Sequence, residues 1–169
     1  LNSINKYIIK KKGDVLIHLA ALSRPMNLHE KKVTESIKLN IIGTSNITIA
    51  CKQNNVKLVY VSTNFVYPGT KGNYKETDSL RPFNNYGWSK LGGECAVALY
   101  KNSLILRMCA TEKPFIHKYA FSDVKTNFEY HENIASKIYK LIKKKGIINV
   151  GGKSQSVYNF AKKNGLNVK

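Results

Sequence analysis

Residues 14–21 of the chain are DVLIHLAA, and this short apolar run carries the fold prediction. An apolar run without polar alternation is typical of a strand that is buried on both faces of a parallel sheet. Further β-rich runs follow at residues 56–62, 103–107 and 147–150. Because parallel strands are joined by crossover connections, we expect helices between these runs.

The stretches between the strands have apolar side chains at helical spacing, which predicts helices with one buried face. These helices are predicted over residues 28–54, 86–101, 131–145 and 157–164. Gly146 is predicted to end the third of them. Residues 67–85 hold glycine, proline and asparagine and predict a long loop, and residues 110–130 have the least regular pattern.

Strand and helix therefore alternate, which predicts an α/β fold with a Rossmann-like, doubly wound parallel sheet. The chain shows no internal repeat and no linker, so we expect one domain over residues 1–169. Hydrophobic residues make up 43% of it, enough for a packed core. No apolar run has the ~18–20 residues of a membrane span, so no membrane partner is expected.

The net charge of +18 comes from 28 basic and 10 acidic residues. All basic residues except Arg24, Arg81 and Arg107 are lysines, and they are spread along the chain. Proteins that recognise nucleic acid sequences favour arginine for bidentate contacts with bases and phosphates. Because arginine is scarce here, we expect no dedicated nucleic-acid function. The three cysteines form no CxxC pair, which predicts reduced thiols and a cytoplasmic location.

The motif YGWSK at residues 86–90 is the strongest local signal for chemistry. Tyr86 and Lys90 are four residues apart and lie on the same side of a predicted helix. A lysine ammonium beside a phenol lowers the phenol pKa, which yields a proton donor or acceptor usable near pH 7. The alternative is an exposed pair without function.

Small and hydroxyl residues stand where two of the predicted strands end. Ser62 and Thr63 follow one strand, and Ala20 and Ala21 follow another. Ligands of open parallel sheets bind beyond the carboxyl ends of the strands. Thr63 could therefore hold a substrate oxygen that Tyr86 protonates; the alternative for this pair of hydroxyls is simple capping of the strand end.

Four segments together resemble the extended short-chain dehydrogenase/reductase family, and within it the proteins similar to dTDP-4-dehydrorhamnose reductase. The segments are DVLIHLAA at 14–21, LNIIGTSNI at 39–47, YVSTNFVYPG with YKETD at 60–78, and YGWSKLGGE at 86–94. Leu106-Arg107, GIINVGG at 146–152 and SVYNFA at 156–161 fit the same pattern. The resemblance covers about residues 14–165.

The resemblance implies an NAD- or NADP-dependent enzyme acting on a nucleotide sugar. Tyr86 would be the general acid/base and Thr63 would orient the substrate. Lys90 would lower the tyrosine pKa and bind the nicotinamide ribose. The resemblance also places Ala20, Ala21 and Ser62 along the cofactor.

Asn40 matches an asparagine that supports the active site in members of the family. The alternative is an asparagine whose side chain bonds to the backbone within its own helix.

The sequence departs from the family pattern at both ends. No GxxGxxG motif, which would hold the cofactor pyrophosphate, occurs in it. Only 13 residues precede the first matched strand, so we expect a fold truncated at its N-terminus. About residues 108–169 would contain a reduced substrate lobe.

Two functions remain open. The first is an NAD(P)-dependent reductase or epimerase of a 4-keto or 4-hydroxy nucleotide sugar. The second is a non-catalytic relic or subunit that binds cofactor weakly or not at all. Its open sheet edge would associate with a second copy or with a partner chain that completes the sheet.

Overall fold

The computed structural model describes residues 2–11, 14–115, 117 and 119–164; residues 165–169 of the predicted domain lie outside them. The central sheet has four parallel strands, β1 (Val15–His18), β2 (Lys57–Thr63), β3 (Ser103–Met108) and β7 (Gly146–Val150). They are hydrogen-bonded in the order β1-β2-β3-β7. The predicted Rossmann-like parallel sheet is confirmed.

The structure describes six helices, and those that pack on the sheet lie on both of its faces. They are α1 (Asn2–Lys11), α2 (Asn27–Lys31), α3, α4 (Asn85–Ala98), α5 (His131–Leu141) and α6 (Val157–Lys163). Helix α3 consists of Val33–Ser36, a π-helical segment Ile37–Ile42, and Gly43–Gln53. Short strands β4 (Ala110–Thr111), β5 (Lys125–Thr126), β6 (Glu129–Tyr130) and β8 (Gln155–Ser156) complete the fold.

Successive side chains of β2 point to opposite faces of the sheet and build two separate cores. Leu58 and Tyr60 pack with Ala50 and Val97, under α3 and α4. Val59 packs on the other face, in the cluster that contains Ile134 of α5. Such burial on both faces explains why β2 and β3 are almost continuously apolar. The run at 14–21, which was predicted to be buried on both faces, differs, because β1 lies at the end of the sheet and its Val15 and Ile17 are 36% and 39% exposed.

A third, smaller cluster lies in the C-terminal part of the chain. Phe115, Ala120, Val157, Phe160 and Ala161 are buried there, away from the main sheet. Edge-to-face contacts join Phe160 to Phe115 and Phe128, with ring centroids 6.1 and 5.7 Å apart. Residues 110–130, the least regular in sequence, thus contain β4, β5, β6 and part of this cluster.

Several predicted boundaries were wrong. The strand predicted over 14–21 ends at His18, and the helix predicted from residue 28 is divided at Lys32, where the backbone leaves the helical region. Helix α5 ends at Leu141, and Gly146, with a φ of +88°, begins β7 instead of ending the helix.

Helix α1 was not predicted, although Ile4 and Ile8 are four residues apart. Both residues pack against the core cluster that lies under α3 and α4. Their spacing places them on one face of a helix, and this is the signal that was overlooked.

Among the described residues, no helix has the length and hydrophobicity that crossing a bilayer requires. Cys51 and Cys109 are buried and Cys95 is exposed.

Gly93 allows α4 to approach β2 closely. A Cβ at this position would lie 2.5 Å from the Tyr60 hydroxyl oxygen and 2.9 Å from the Asn40 backbone oxygen. We therefore expect Gly93→Ala to lower the free energy of unfolding by about 2 kcal/mol, since overpacking forces the neighbours apart. Urea unfolding measures this difference.

Gly43→Ala is the matched control, because Gly43 is also helical and its added Cβ would lie 3.4 Å from the nearest atom, the Lys38 oxygen. Alanine is the better helix former, so this change should leave stability unchanged or raise it by up to about 1 kcal/mol. Equal effects of the two substitutions would contradict the packing argument.

Candidate active site

The carboxyl ends of β1 and β2 and the first turns of α4 meet at one edge of the sheet. Helix α4 begins after Asn84, whose side chain accepts a hydrogen bond of 2.8 Å from the Gly87 backbone N–H. This N-cap places Tyr86 in the first turn of the helix. The predicted residues Thr63, Tyr86 and Lys90 are thereby brought to the same region.

Aromatic rings surround the Tyr86 side chain. The ring centroid of buried His29, in α2, lies 5.1 Å away, and that of Phe65 lies 6.0 Å away. Both contacts have edge-to-face geometry, which aromatic pairs favour. The phenol is therefore held between two elements that come from different parts of the chain.

The electrostatics of Tyr86 differ from the prediction. Burial raises the phenol pKa above its usual value, while hydrogen bonding with the Thr63 hydroxyl and the positive charge of Arg24 oppose this rise. The spacing predicted a phenol pKa lowered by Lys90, but the pKa is raised, because loss of hydration is the largest effect and Lys90 is not among the groups that shift this pKa. At neutral pH the phenol is protonated and is a proton donor.

Lys90 lies against Tyr60 of β2. Its Nζ atom is 4.2 Å from the centre of the Tyr60 ring, and the residue is only 3% exposed. Within the described part of the chain, the Lys90 ammonium has no hydrogen-bond or ion-pair partner. Burial lowers the Lys90 pKa to about 8, although Glu94 one turn further on favours the charged form.

Two neutral groups lie beside this lysine. The Tyr60 hydroxyl donates to the Lys90 backbone oxygen over 3.2 Å. His18, at the end of β1, is 3.0 Å from the Thr44 hydroxyl through its Nε2 atom, and burial lowers its pKa to about 4. Because the imidazole is neutral, Lys90 is the positively charged member of the group formed by Lys90, Tyr60 and His18. The sequence pattern did not indicate that Tyr60 or His18 belongs to the site.

Thr63 ends β2 and is 6% exposed. Its hydroxyl oxygen accepts a hydrogen bond of 3.3 Å from the Phe65 N–H. It therefore caps the 3-10 turn Asn64–Val66 and also faces Tyr86. Thr63 therefore caps the end of its strand, as the alternative interpretation predicted, and also lies next to Tyr86.

Ser62 belongs to a different network. Its hydroxyl donates to buried Glu94, and both oxygens of that carboxylate also accept from Arg107, at 2.9–3.2 Å. Arg107 further donates to the Tyr67 hydroxyl over 2.8 Å. The Ser62 side chain is thus engaged inside the protein, and this network was not predicted from the sequence.

Asn40 connects three elements instead of bonding within its own helix. Its side-chain oxygen accepts from the Leu22 N–H over 2.8 Å, and its amide nitrogen donates to the Leu22 oxygen and the Ser89 hydroxyl, each over 2.9 Å. It lies in the π-helical segment of α3 and is fully buried. The segment after β1, where Ala20 is exposed and Ala21 half-buried, is held to α4 by this side chain.

A family model described as the RmlD substrate binding domain matches residues 1–111. The dTDP-4-dehydrorhamnose reductase of Aggregatibacter actinomycetemcomitans is 36% identical over 98 residues, which are 57% of this chain and 33% of that protein. Methionine adenosyltransferase 2 subunit beta of Bos taurus is 32% identical over 96 residues, which are 57% of this chain and 28% of that protein. The aligned part therefore spans about a third or less of these relatives.

Among solved structures, the dTDP-4-dehydrorhamnose reductase of Bacillus anthracis, determined in complex with NADP, superimposes with a TM-score of 0.87. The superposition covers 99% of this chain and 68% of that chain, at 24% sequence identity. At this level of identity the likeness establishes the fold.

Proposed function

Because this chain belongs to the RmlD substrate binding domain family, we propose that it takes part in the NAD(P)-dependent reduction or epimerisation of a nucleotide sugar at the 4-position. The observation that carries the proposal is the convergence of Thr63, Tyr86 and Lys90 at the carboxyl edge of the sheet. This edge is where open α/β sheets bind ligands.

In the proposed reduction, the Tyr86 phenol donates its proton to the oxygen of the sugar carbonyl. Burial keeps the phenol protonated, and the Thr63 hydroxyl orients the group that receives the proton. The nicotinamide, when bound, supplies the hydride. The chain itself positions the carbonyl and provides the proton.

The residues present fit the nicotinamide end of such a cofactor. The Lys90 ammonium has three N–H donors that have no partner among the described residues. Ribose hydroxyl oxygens can accept hydrogen bonds from such donors. Ala20 and Ala21 have small side chains, which would let a bound cofactor approach the backbone closely. We assign no residue to the pyrophosphate, and the smaller cluster around Phe160 is the proposed remnant of a substrate lobe.

Titration with NADPH, followed by nicotinamide fluorescence, tests this assignment. We expect saturable binding that Lys90→Ala weakens about tenfold or more, since charge-assisted hydrogen bonds are lost. In the wild type, affinity should fall as pH rises above about 8, where Lys90 loses its proton. The alanine variant should lack this pH dependence.

Lys140→Ala provides the control, because Lys140 is an exposed lysine of α5 on the other face of the sheet. Its removal should change NADPH affinity less than about twofold, the effect of a remote screened charge. Equal effects of the two substitutions, or the absence of binding at millimolar NADPH, would contradict the proposed cofactor site.

One observation favours a second candidate function, that of a subunit. The relatives include proteins named as a subunit of methionine adenosyltransferase. Strand β1 pairs with β2 on one side, and Val15, Ile17 and Leu19 are 36%, 39% and 63% exposed. In the part of the chain that the structure describes, β1 is thus an edge strand with apolar side chains exposed on one face, and both features favour association.

In this second function, another copy or a partner chain would complete the sheet. Light scattering separates the two candidates, because a monomer that binds NADPH would contradict the subunit function.

A further inference from the structure

The part of the chain from the end of β1 through α2 is attached to α4 on both sides of Tyr86. On one side, Asn40 joins the Leu22 backbone to Ser89. On the other, the Asn85 backbone N–H and side-chain amide donate to the Glu30 carboxylate over 3.1 and 2.6 Å. Arg24 lies between these attachments, so its guanidinium is held near the first turns of α4.

Arg24 forms an ion pair near the candidate site. Its partner is Glu112, which immediately follows β4, so two separate loops meet here. The Arg24 side chain remains 50% exposed. The positive charge of Arg24 also reaches the Tyr86 phenol, where it lowers the pKa. A cation therefore stands beside the proposed proton donor and is open to solvent.

Glu112 has one carboxylate oxygen in use and one without a partner. Its Oε1 atom accepts from Arg24, while its Oε2 atom is buried and has no hydrogen-bond donor among the described residues. A buried acceptor without a donor is unfavourable. A ligand hydroxyl group would satisfy it, because a hydroxyl is a donor.

Together, the two side chains offer complementary contacts. The guanidinium has five N–H donors in a planar fork, and one nitrogen of Arg24 is engaged by Glu112. This geometry suits the oxygens of a phosphate group, which it binds in a bidentate manner. The free oxygen of Glu112 suits a hydroxyl group on the same ligand.

We infer that Arg24 and Glu112 form a recognition pair for the substrate, in which Arg24 binds the diphosphate and Glu112 Oε2 accepts a hydrogen bond from a sugar hydroxyl. This inference rests on the proposed function, because it assigns residues to the substrate of that site. A nucleoside diphosphate sugar carries both groups, whereas a free sugar or free pyrophosphate carries one of them.

Isothermal titration with dTDP-glucose and with inorganic pyrophosphate tests the pair. Arg24→Gln should weaken dTDP-glucose binding about tenfold or more, as charge-assisted bonds are lost. The matched control is Lys101→Gln, which removes one positive charge just before β3, at the opposite end of the sheet. This control should change the affinity less than about twofold.

Substitution of Glu112 should change the affinity for pyrophosphate in the opposite direction to substitution of Arg24. Glu112→Gln releases Arg24 and removes a negative charge, so pyrophosphate should bind about threefold tighter or more. Adding Arg24→Gln should abolish that gain.

Glu112→Ala should lower the preference for dTDP-glucose over dTDP about threefold or more, because the hydroxyl acceptor is lost. A half-exposed ion pair contributes little to stability, so these variants should fold.

The outcomes separate the inference from the proposed function. If the wild type binds dTDP-glucose and Arg24→Gln behaves like Lys101→Gln, the recognition pair is wrong and the proposed function stands. If Glu112→Gln fails to tighten pyrophosphate binding, the pair is also wrong. If the wild type binds no dTDP-glucose, both the pair and the proposed function are wrong.

Discussion

Replacing Tyr86 by phenylalanine should lower the rate of NADPH oxidation with a 4-keto nucleotide sugar by about a thousandfold. The change removes the hydroxyl that would donate the proton, and general acid catalysis contributes roughly 10²–10⁴ to a rate. The ring contacts with His29 and Phe65 remain, so the fold should persist. The absorbance of NADPH follows the reaction.

The expected loss lies in the catalytic step and not in cofactor binding. NADPH affinity should therefore stay within about twofold of the wild type, since the phenylalanine ring would still pack as the tyrosine ring does. Tyr139→Phe is the matched control, because Tyr139 is 79% exposed on α5 and far from this edge of the sheet. Activity of the Tyr86 variant similar to that of this control would rule out the proposed proton donor.

The largest effect on stability is expected at the buried ion pair between Glu94 and Arg107. Their side chains are 4% and 2% exposed, and the carboxylate also accepts from Ser62. Glu94→Ala would leave the buried guanidinium without its counter-charge, which costs about 3–5 kcal/mol. Because domains are stable by only about 5–15 kcal/mol, urea unfolding should show a strongly destabilised protein.

Two comparisons make this prediction specific. Glu35→Ala removes one partner of the exposed Glu35–Lys38 pair, whose side chains are 51% and 62% exposed. Its cost should be below about 1 kcal/mol. The double substitution Glu94→Leu with Arg107→Met should cost less than Glu94→Ala alone, because no unpaired charge remains buried. A double variant less stable than the single one would refute the explanation.

The resemblance in sequence predicted Thr63, Tyr86 and Lys90 because their motif is local. Tyr86 and Lys90 lie on one helix, and Thr63 ends a strand with a clear apolar pattern. The residues that determine their environment come from elsewhere in the chain. Tyr60 lies under Lys90, His29 packs on Tyr86, and Arg24 reaches the same phenol from the loop after β1.

The sequence by itself determined the parallel α/β fold, because strands buried on both faces and helices with one apolar face have distinct periodicities. It also predicted which groups could donate a proton. Only the tertiary structure decided the protonation of those groups, since a pKa depends on burial and on charges distant in sequence. For that reason Tyr86 retains its proton at neutral pH, although the spacing of Lys90 predicted that its pKa would fall.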